Sequence, residues 1–240
     1  MYLAHMDSPN LNILYLDEHI VAVDKPAGMI VHRNEYTQRE FENLLNLLSR
    51  QLKKHLYPVH RLDRATAGVM IFALTKEAAN VMMRAFAEKR VNKEYICIVR
   101  GLAEAEGKID RELRKKPTRK FQSAETHFWT LAQKELPVPM GEFESVRYSL
   151  LKVHPLTGRR HQIRRHLSYE HHPILGDKKH GVRDHNRLWR DEFELPGLML
   201  QAYKLEFDHP YSKEKVQLFS PQLAPHIQAA VTYLEWESPF

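Results

Sequence analysis

The chain has one cysteine, Cys97, in 240 residues. That excludes an intramolecular disulfide and any zinc site built from paired cysteines. Although 43% of the residues are hydrophobic, no apolar run approaches the roughly 20 residues that a membrane-spanning helix needs. Membrane insertion is therefore not expected. Residues 1–10 lack the basic-then-apolar order of a secretory signal, which together with the lone cysteine sets the expectation of a reducing, cytoplasmic home. Metal chemistry is also poorly provided for. His161 and His166 stand five apart, no His-Glu-x-x-His run occurs, and no carboxylate lies at ligand spacing. With no fixed-period repeat, low-complexity tract or long linker, one domain over residues 1–240 is expected.

What is present is charge, unevenly placed. The chain carries 36 Lys+Arg against 30 Asp+Glu. Residues 145–190 alone hold 11 of those cations, 3 of those acids and 7 of the 15 histidines, leaving the remainder slightly acidic. A basic excess gathered in one segment suits a phosphate-rich partner, although a solvated basic face has the same composition.

Periodicity places the elements. Ile13–Leu16 and Ile20–Val23 flank the turn residues Asp17-Glu18-His19 as a hairpin. Apolar residues at 41, 44, 45, 48 and 52 predict a core-facing helix over 41–52. Val69–Leu74 reads as a strand, and Thr75 as the cap of an alanine-rich helix over 76–88. Tyr95–Val99, Thr126–Leu131, Arg147–Val153 and Leu198–Phe207 read as strands, His161–Tyr169 as a short helix, and the segment after Pro225 as a last helix. Residues 108–120, with seven Lys+Arg around Pro117, read as a mobile basic loop. The short connections favour an α+β fold with a mixed, largely antiparallel sheet flanked by helices.

Three polar segments stand out. His60-Arg61-Leu62-Asp63-Arg64-Ala65-Thr66-Ala67-Gly68 lies between a helix and a strand, where a loop presents catalytic groups. Taken alone it is equally a turn with a surface ion pair, a feature usually worth under ~1 kcal/mol. Thr157-Gly158-Arg159-Arg160-His161-Gln162-Ile163-Arg164-Arg165-His166 leads into a helix on which Gln162 and His166 share a face and Arg164 and Arg165 diverge. His172-Pro173-Ile174-Leu175-Gly176-Asp177-Lys178-Lys179-His180-Gly181 reads as a structured loop whose lysines suit phosphate.

Taken in order, His-Arg-Leu-Asp-Arg-x-Thr-x-Gly at 60–68, Lys-x-Tyr at 93–95, Thr-Gly-Arg-x-His-Gln-Ile-Arg at 157–164 and His-Pro-Ile-x-Gly-Asp at 172–177 resemble the RluA-type RNA pseudouridine synthases. The opening Val23-Asp24-Lys25-Pro26-Ala27-Gly28 is similar too, so the likeness spans residues 12–210. Ala67 stands where the family pattern usually has Ser, and Val182 where Asp is usual.

The resemblance implies a single catalytic domain with a central RNA-binding cleft and no separate N-terminal RNA-binding domain. It also implies the isomerisation of a uridine to pseudouridine in tRNA, at T-stem position 65. No cofactor is implied, because no atom or electron is gained or lost, and neither is an obligate protein partner. By the match, Asp63 is the essential carboxylate, acting as nucleophile, as stabiliser of a cationic sugar or as base on the ribose. Arg164 pairs with it, and Tyr95 stacks on the target uracil and is a candidate for taking the proton from C5 of the rotated base, although an ordinary tyrosine pKa near ~10 favours the stacking role. The uridine must leave its stack to be reached. His60 and Arg61 are the residues expected to fill the vacated space, with Arg159 and His161 gripping neighbouring phosphates. Two further readings are an isomerase of ribosomal RNA and a non-catalytic RNA-binding protein. A glycosidase-like hydrolase lacks a visible second carboxylate near the motifs.

Overall fold

The computed structural model describes residues 10–32, 42–115 and 118–239. β1 (Ile13–Leu16) and β2 (Ile20–Lys25) form the expected hairpin. Its turn is closed by Asp17, whose Oδ1 accepts from the backbone N–H groups of His19 and Ile20 at 2.7 and 2.8 Å. α1 (Leu44–Leu52) starts three residues later than the periodicity suggests, because Asn43 caps it by accepting from Asn46 N–H. Phe41, the first residue of the expected helix, lies outside the described residues. After β3 (Tyr57–Pro58) and β4 (Ala67–Ala73), Thr75 caps α2 (Lys76–Ala87) as expected.

β5 (Asn92–Arg100) starts ahead of Tyr95. β6 (Glu106–Asp110), β7 (Leu113–Arg114) and β8 (Phe121–Gln122) correct the reading of residues 108–120 as a loop. Ile109 and Leu113 are buried there and pin the chain into a strand end and a two-stranded ribbon, while Lys116 and Pro117 lie outside the described residues. β9 (Glu125–Leu136) and β10 (Val146–Pro155) are long partners. α3 (Gln162–Tyr169), α4 (Arg183–Asp191), β11 (Leu200–Asp208), β12 (Lys215–Phe219) and α5 (Pro225–Tyr233) complete the chain.

The main sheet runs β1-β2-β4-β11-β5-β10-β9-β6, with β3 added on β4 and β12 on β11. Every pairing in it is antiparallel except β4 with β11, so the α+β expectation of a mixed, largely antiparallel sheet describes the fold.

Strand alternation sends successive side chains to opposite faces. Val21, Val23, Met70 and Phe72 pack under α1, and Ile20, Ala22, Val69 and Ile71 pack under α2. A third cluster joins β5 and β10 to Ile163 and Leu167 of α3, Trp189 of α4 and Ile227 and Val231 of α5. Cys97 is wholly buried in it as small core filler.

β11 lies between β4 and β5, and its contact with β4 is confined to Gln201 beside Ala67 and Ala202 beside Gly68. Gly68 is required there. Its φ is +111°, and a Cβ would stand 2.0 Å from the Ala202 carbonyl oxygen.

Candidate active site

The segment that carries Asp63 runs from β3 to β4 and is tied down on both sides. Thr66 N–H donates to Asp63 O at 3.1 Å, closing a turn. The Lys25–Gly28 turn clasps it from outside. Gly28 N–H donates to Arg64 O at 2.8 Å, Arg64 Nε donates to Gly28 O at 2.8 Å, and Lys25 Nζ donates to Arg64 O at 3.1 Å and Pro26 O at 2.8 Å. Lys25 is almost fully buried, and burial pulls its pKa down to about 7 in spite of the nearby Asp63 charge. The 23–28 segment and the 60–68 block thus interlock as one support for a single carboxylate.

α3 delivers the partner. Its start is set by Gln162, whose Oε1 accepts from Thr157 Oγ1 at 2.6 Å and Arg159 N–H at 3.0 Å, while its Nε2 donates to Thr126 Oγ1 and Glu125 O, each at 2.9 Å. His166, one turn on, meets the same Thr126 Oγ1 at 2.9 Å, so the shared face expected for Gln162 and His166 is present. From this anchored helix Arg164 reaches back across 101 residues, and its Nη1 donates to Asp63 Oδ2 at 2.7 Å.

The other edge of the guanidinium is held by Asp177, with Nε to Oδ2 and Nη2 to Oδ1 both 2.7 Å. Asp177 Oδ1 also accepts from the N–H groups of Lys179 and His180 at 2.8 and 3.0 Å. Burial opposes the charges of both groups. The Arg164 hydrogen bond and those backbone donors nevertheless hold the Asp177 carboxyl below its ordinary range, and the two carboxylates hold Arg164 above its own. Sequence reading put Asp177 in a phosphate-binding loop and missed this role.

The carboxylate faces a cleft of about 390 Å³, within the ~300–1,000 Å³ typical of small-molecule sites. All seven residues singled out in the sequence line it: His60, Arg61, Asp63, Tyr95, Arg159, His161 and Arg164. Tyr95 sits on β5 opposite Val153 of β10 and Ala202 of β11. Burial, with the Asp63 charge adding to it, raises its phenol above the ordinary value, so the ring enters the site protonated at neutral pH.

His60 is fixed in the wall. Its Nε2 accepts from Ile71 N–H at 3.0 Å, its ring stacks on Phe86 at 4.5 Å, and burial, reinforced by Lys93, pulls its pKa down to about 3. A ring committed this way cannot swing out, so of the two residues expected to fill a vacated stack only Arg61, exposed at the rim, is placed for it. Arg159 is tethered through Nε to Ser123 O at 3.0 Å.

His161 lies 3.7 Å from Asp63 Oδ1 and 3.0 Å from His180 Nε2, and burial lowers its pKa to about 4. It is therefore neutral at physiological pH, an N–H dipole rather than a cation. Lys93 also lines the cleft and was not singled out. Its Nζ donates to Thr157 O at 3.1 Å, and burial, with Lys89 nearby, lowers its pKa to about 8.

Asp177 is the second carboxylate that a glycosidase-like reading lacked, but it cannot serve one. Its side chain is 0% exposed, both oxygens are taken by Arg164, and it does not line the cleft. Among the described residues no group of three or more His, Cys, Asp or Glu is placed to hold a metal ion, and no helix is long and apolar enough to cross a membrane.

The backbone is similar to that of human RNA pseudouridylate synthase domain containing 4, with a TM-score of 0.74 at 24% identity and 95% of each chain covered. Human RNA pseudouridylate synthase domain containing 1 aligns with a TM-score of 0.70 over 96% and 97% of the two chains, at 23% identity. The architecture is therefore the pseudouridylate synthase fold, with a half-buried aspartate paired to a buried arginine in its cleft. Residues 19–169 match the family described as RNA pseudouridylate synthase. A protein of Vibrio vulnificus named tRNA pseudouridine synthase C is 44% identical over 216 residues, covering 86% of this chain and 88% of its own. The Vibrio parahaemolyticus protein of that name is 41% identical, covering 95% and 96%. The chain belongs to the RNA pseudouridylate synthase family.

Proposed function

We propose that this chain isomerises a uridine of tRNA to pseudouridine, acting on the T-stem uridine in the cytoplasm. The observation that carries this reading is the Asp63 carboxylate, held by Arg164 at 2.7 Å and turned into a nucleotide-sized cleft beside Tyr95. The relatives named for tRNA modification support the choice of RNA.

The everted nucleotide enters with its base against the Tyr95 ring and its sugar toward Asp63. Arg164 occupies Oδ2 and leaves Oδ1 for the sugar, where the anion opposes the positive charge that builds at C1′ as the N1–C1′ bond breaks. Uracil then turns over, C5 bonds to C1′, and C5 loses the proton that N1 gains, so the reaction balances without a co-reactant. Because the phenol is held protonated, Tyr95 serves as a stacking platform in the resting enzyme. Arg61 takes up the vacated space, and Arg159, Lys93 and the basic segment 145–190 meet phosphates around the target.

The test is Asp63→Asn on an unmodified tRNA transcript, with pseudouridine mapped at single-nucleotide resolution. Product formation is lost while RNA affinity stays within a few fold. A variant with near-normal turnover refutes the assignment, and one that binds RNA unchanged beside an inactive wild type supports the non-catalytic reading. Release of free uracil by the wild type identifies a hydrolase instead.

A further inference from the structure

One hydrogen bond in the site is used by none of the roles above. His161, at the start of α3 with a φ of +53°, points Nε2 at Asp63 Oδ1 across 3.7 Å and Nδ1 at His180 Nε2 across 3.0 Å. The His161 and His180 rings meet edge to face at 83°. His180 is itself locked. Its N–H donates to Asp177 Oδ1 at 3.0 Å, and its carbonyl accepts from Ser168 Oγ at 2.9 Å. Asp177, the carboxylate that grips Arg164, therefore also sets the turn that presents His180.

A neutral imidazole carries one proton, so the partner on one nitrogen decides what the other offers. If His161 donated from Nδ1, its Nε2 lone pair would face the Asp63 anion. If His180 donates from Nε2 to His161 Nδ1, the Nε2–H of His161 faces that anion, which is the electrostatically favoured arrangement. The other charged groups around this pair do not reverse the preference. Arg164 and Arg160 face His161 and disfavour a second ring proton and the positive charge it brings, and Arg164, Lys179 and Arg165 do the same to His180, with Asp177 opposing them.

We infer that His180 is a positioning residue for the reaction: by donating to His161 it fixes the tautomer whose Nε2–H orients the reactive oxygen of Asp63. At 3.7 Å the contact is longer than a hydrogen bond, so it steers Oδ1 without occupying the lone pair that acts on the sugar. Asp63 is then held from both sides, by a cation on Oδ2 and a dipole on Oδ1, and both are delivered by one buried carboxylate.

This rests on Asp63 being the catalytic carboxylate, so Asp63→Asn is assayed alongside; if that variant stays active, the functional reading has failed rather than this one. The experiment compares His180→Phe, which keeps a ring and loses the donor, with His180→Gln, which loses the ring and keeps an N–H. In full-length protein acting on the tRNA transcript, kcat falls about tenfold in the Phe variant with KM within twofold, the scale of one lost orienting hydrogen bond. The Gln variant recovers most of the rate. In parallel, 15N spectra of histidine-labelled protein show His161 as the Nε2–H tautomer in the wild type and in the Gln variant, and as a mixture in the Phe variant. An unimpaired Phe variant, equal loss in both variants, a defect confined to KM, or a wild-type Nδ1–H tautomer each overturns the inference.

Discussion

Replacing Asp177 by Asn tests the idea that this buried carboxylate, rather than the cleft-facing one, is the keystone of the site. The exchange preserves volume. It leaves one oxygen, able to keep Arg164 Nη2 and the N–H groups of Lys179 and His180, and turns the other oxygen into an NH₂ aimed at Arg164 Nε, which also donates. One charge-assisted bond, worth about 1.5–3 kcal/mol, is lost and a donor faces a donor. The full penalty of ~3–5 kcal/mol for breaking a buried pair is not reached, because Asp63 still holds Nη1 of the same guanidinium. A cost of about 2–3 kcal/mol follows, which for a chain of this size lowers Tm by about 4–12 °C at ~2–4 °C per kcal/mol. Arg164 also loses its alignment on Asp63, so kcat falls more than about tenfold while RNA affinity stays within a few fold. Thermal melts and single-turnover pseudouridine assays on the purified variant read both effects. A Tm within a degree of the wild type together with an unchanged kcat would falsify the keystone role.

Other consequences are equally concrete. Gly68→Ala pushes a Cβ into the Ala202 carbonyl at a φ no L residue prefers, and loses more than about 3 kcal/mol, read from denaturant midpoints; a neutral effect contradicts the close strand contact. His60, His161 and His185 are neutral in the folded state, with pKa values of about 3, 4 and 4, all lowered chiefly by burial. Their folded values lie below the unfolded value of ~6.5, so the unfolded chain binds more protons between these limits and stability falls as pH drops from 6.5 toward 4. Urea midpoints that stay level from pH 7 to pH 5 contradict this. If the basic segment holds phosphates, log affinity for tRNA falls against log salt with a slope of about −0.7 to −0.9 per contact, and a flat titration removes that role.

The elements that were legible in the sequence are those whose packing imposes a pattern. The Thr75 cap and the alanine-rich run specify α2, and two short apolar runs either side of the polar turn Asp17-Glu18-His19 specify the β1–β2 hairpin. What was missed carries too few buried residues to show a period. α4 buries only His185 and Trp189 among charged neighbours, β12 only Leu218, and the strands of the β7–β8 ribbon are two residues each.

The site divides the same way. Asp63, Tyr95 and Arg164 were reached through ordered motifs, since nothing local announces a contact between residues 101 apart. Asp177 escaped because its partners are a distant guanidinium and its own backbone, which leave no mark on composition. His60 sits in the most suggestive segment, yet it was spoken for by Ile71 N–H and Phe86, a commitment only the fold reveals.

The position of β11 has a consequence for how the enzyme comes into being. This strand is wedged between β4 and β5 although it follows them by about a hundred residues or more, and its Ala202 touches both Gly68 and Tyr95. A nascent chain still short of residue 200 therefore has a gap through the middle of its sheet, with the aspartate on one bank and the tyrosine on the other. The cleft can therefore be completed only once β11 is in place between them.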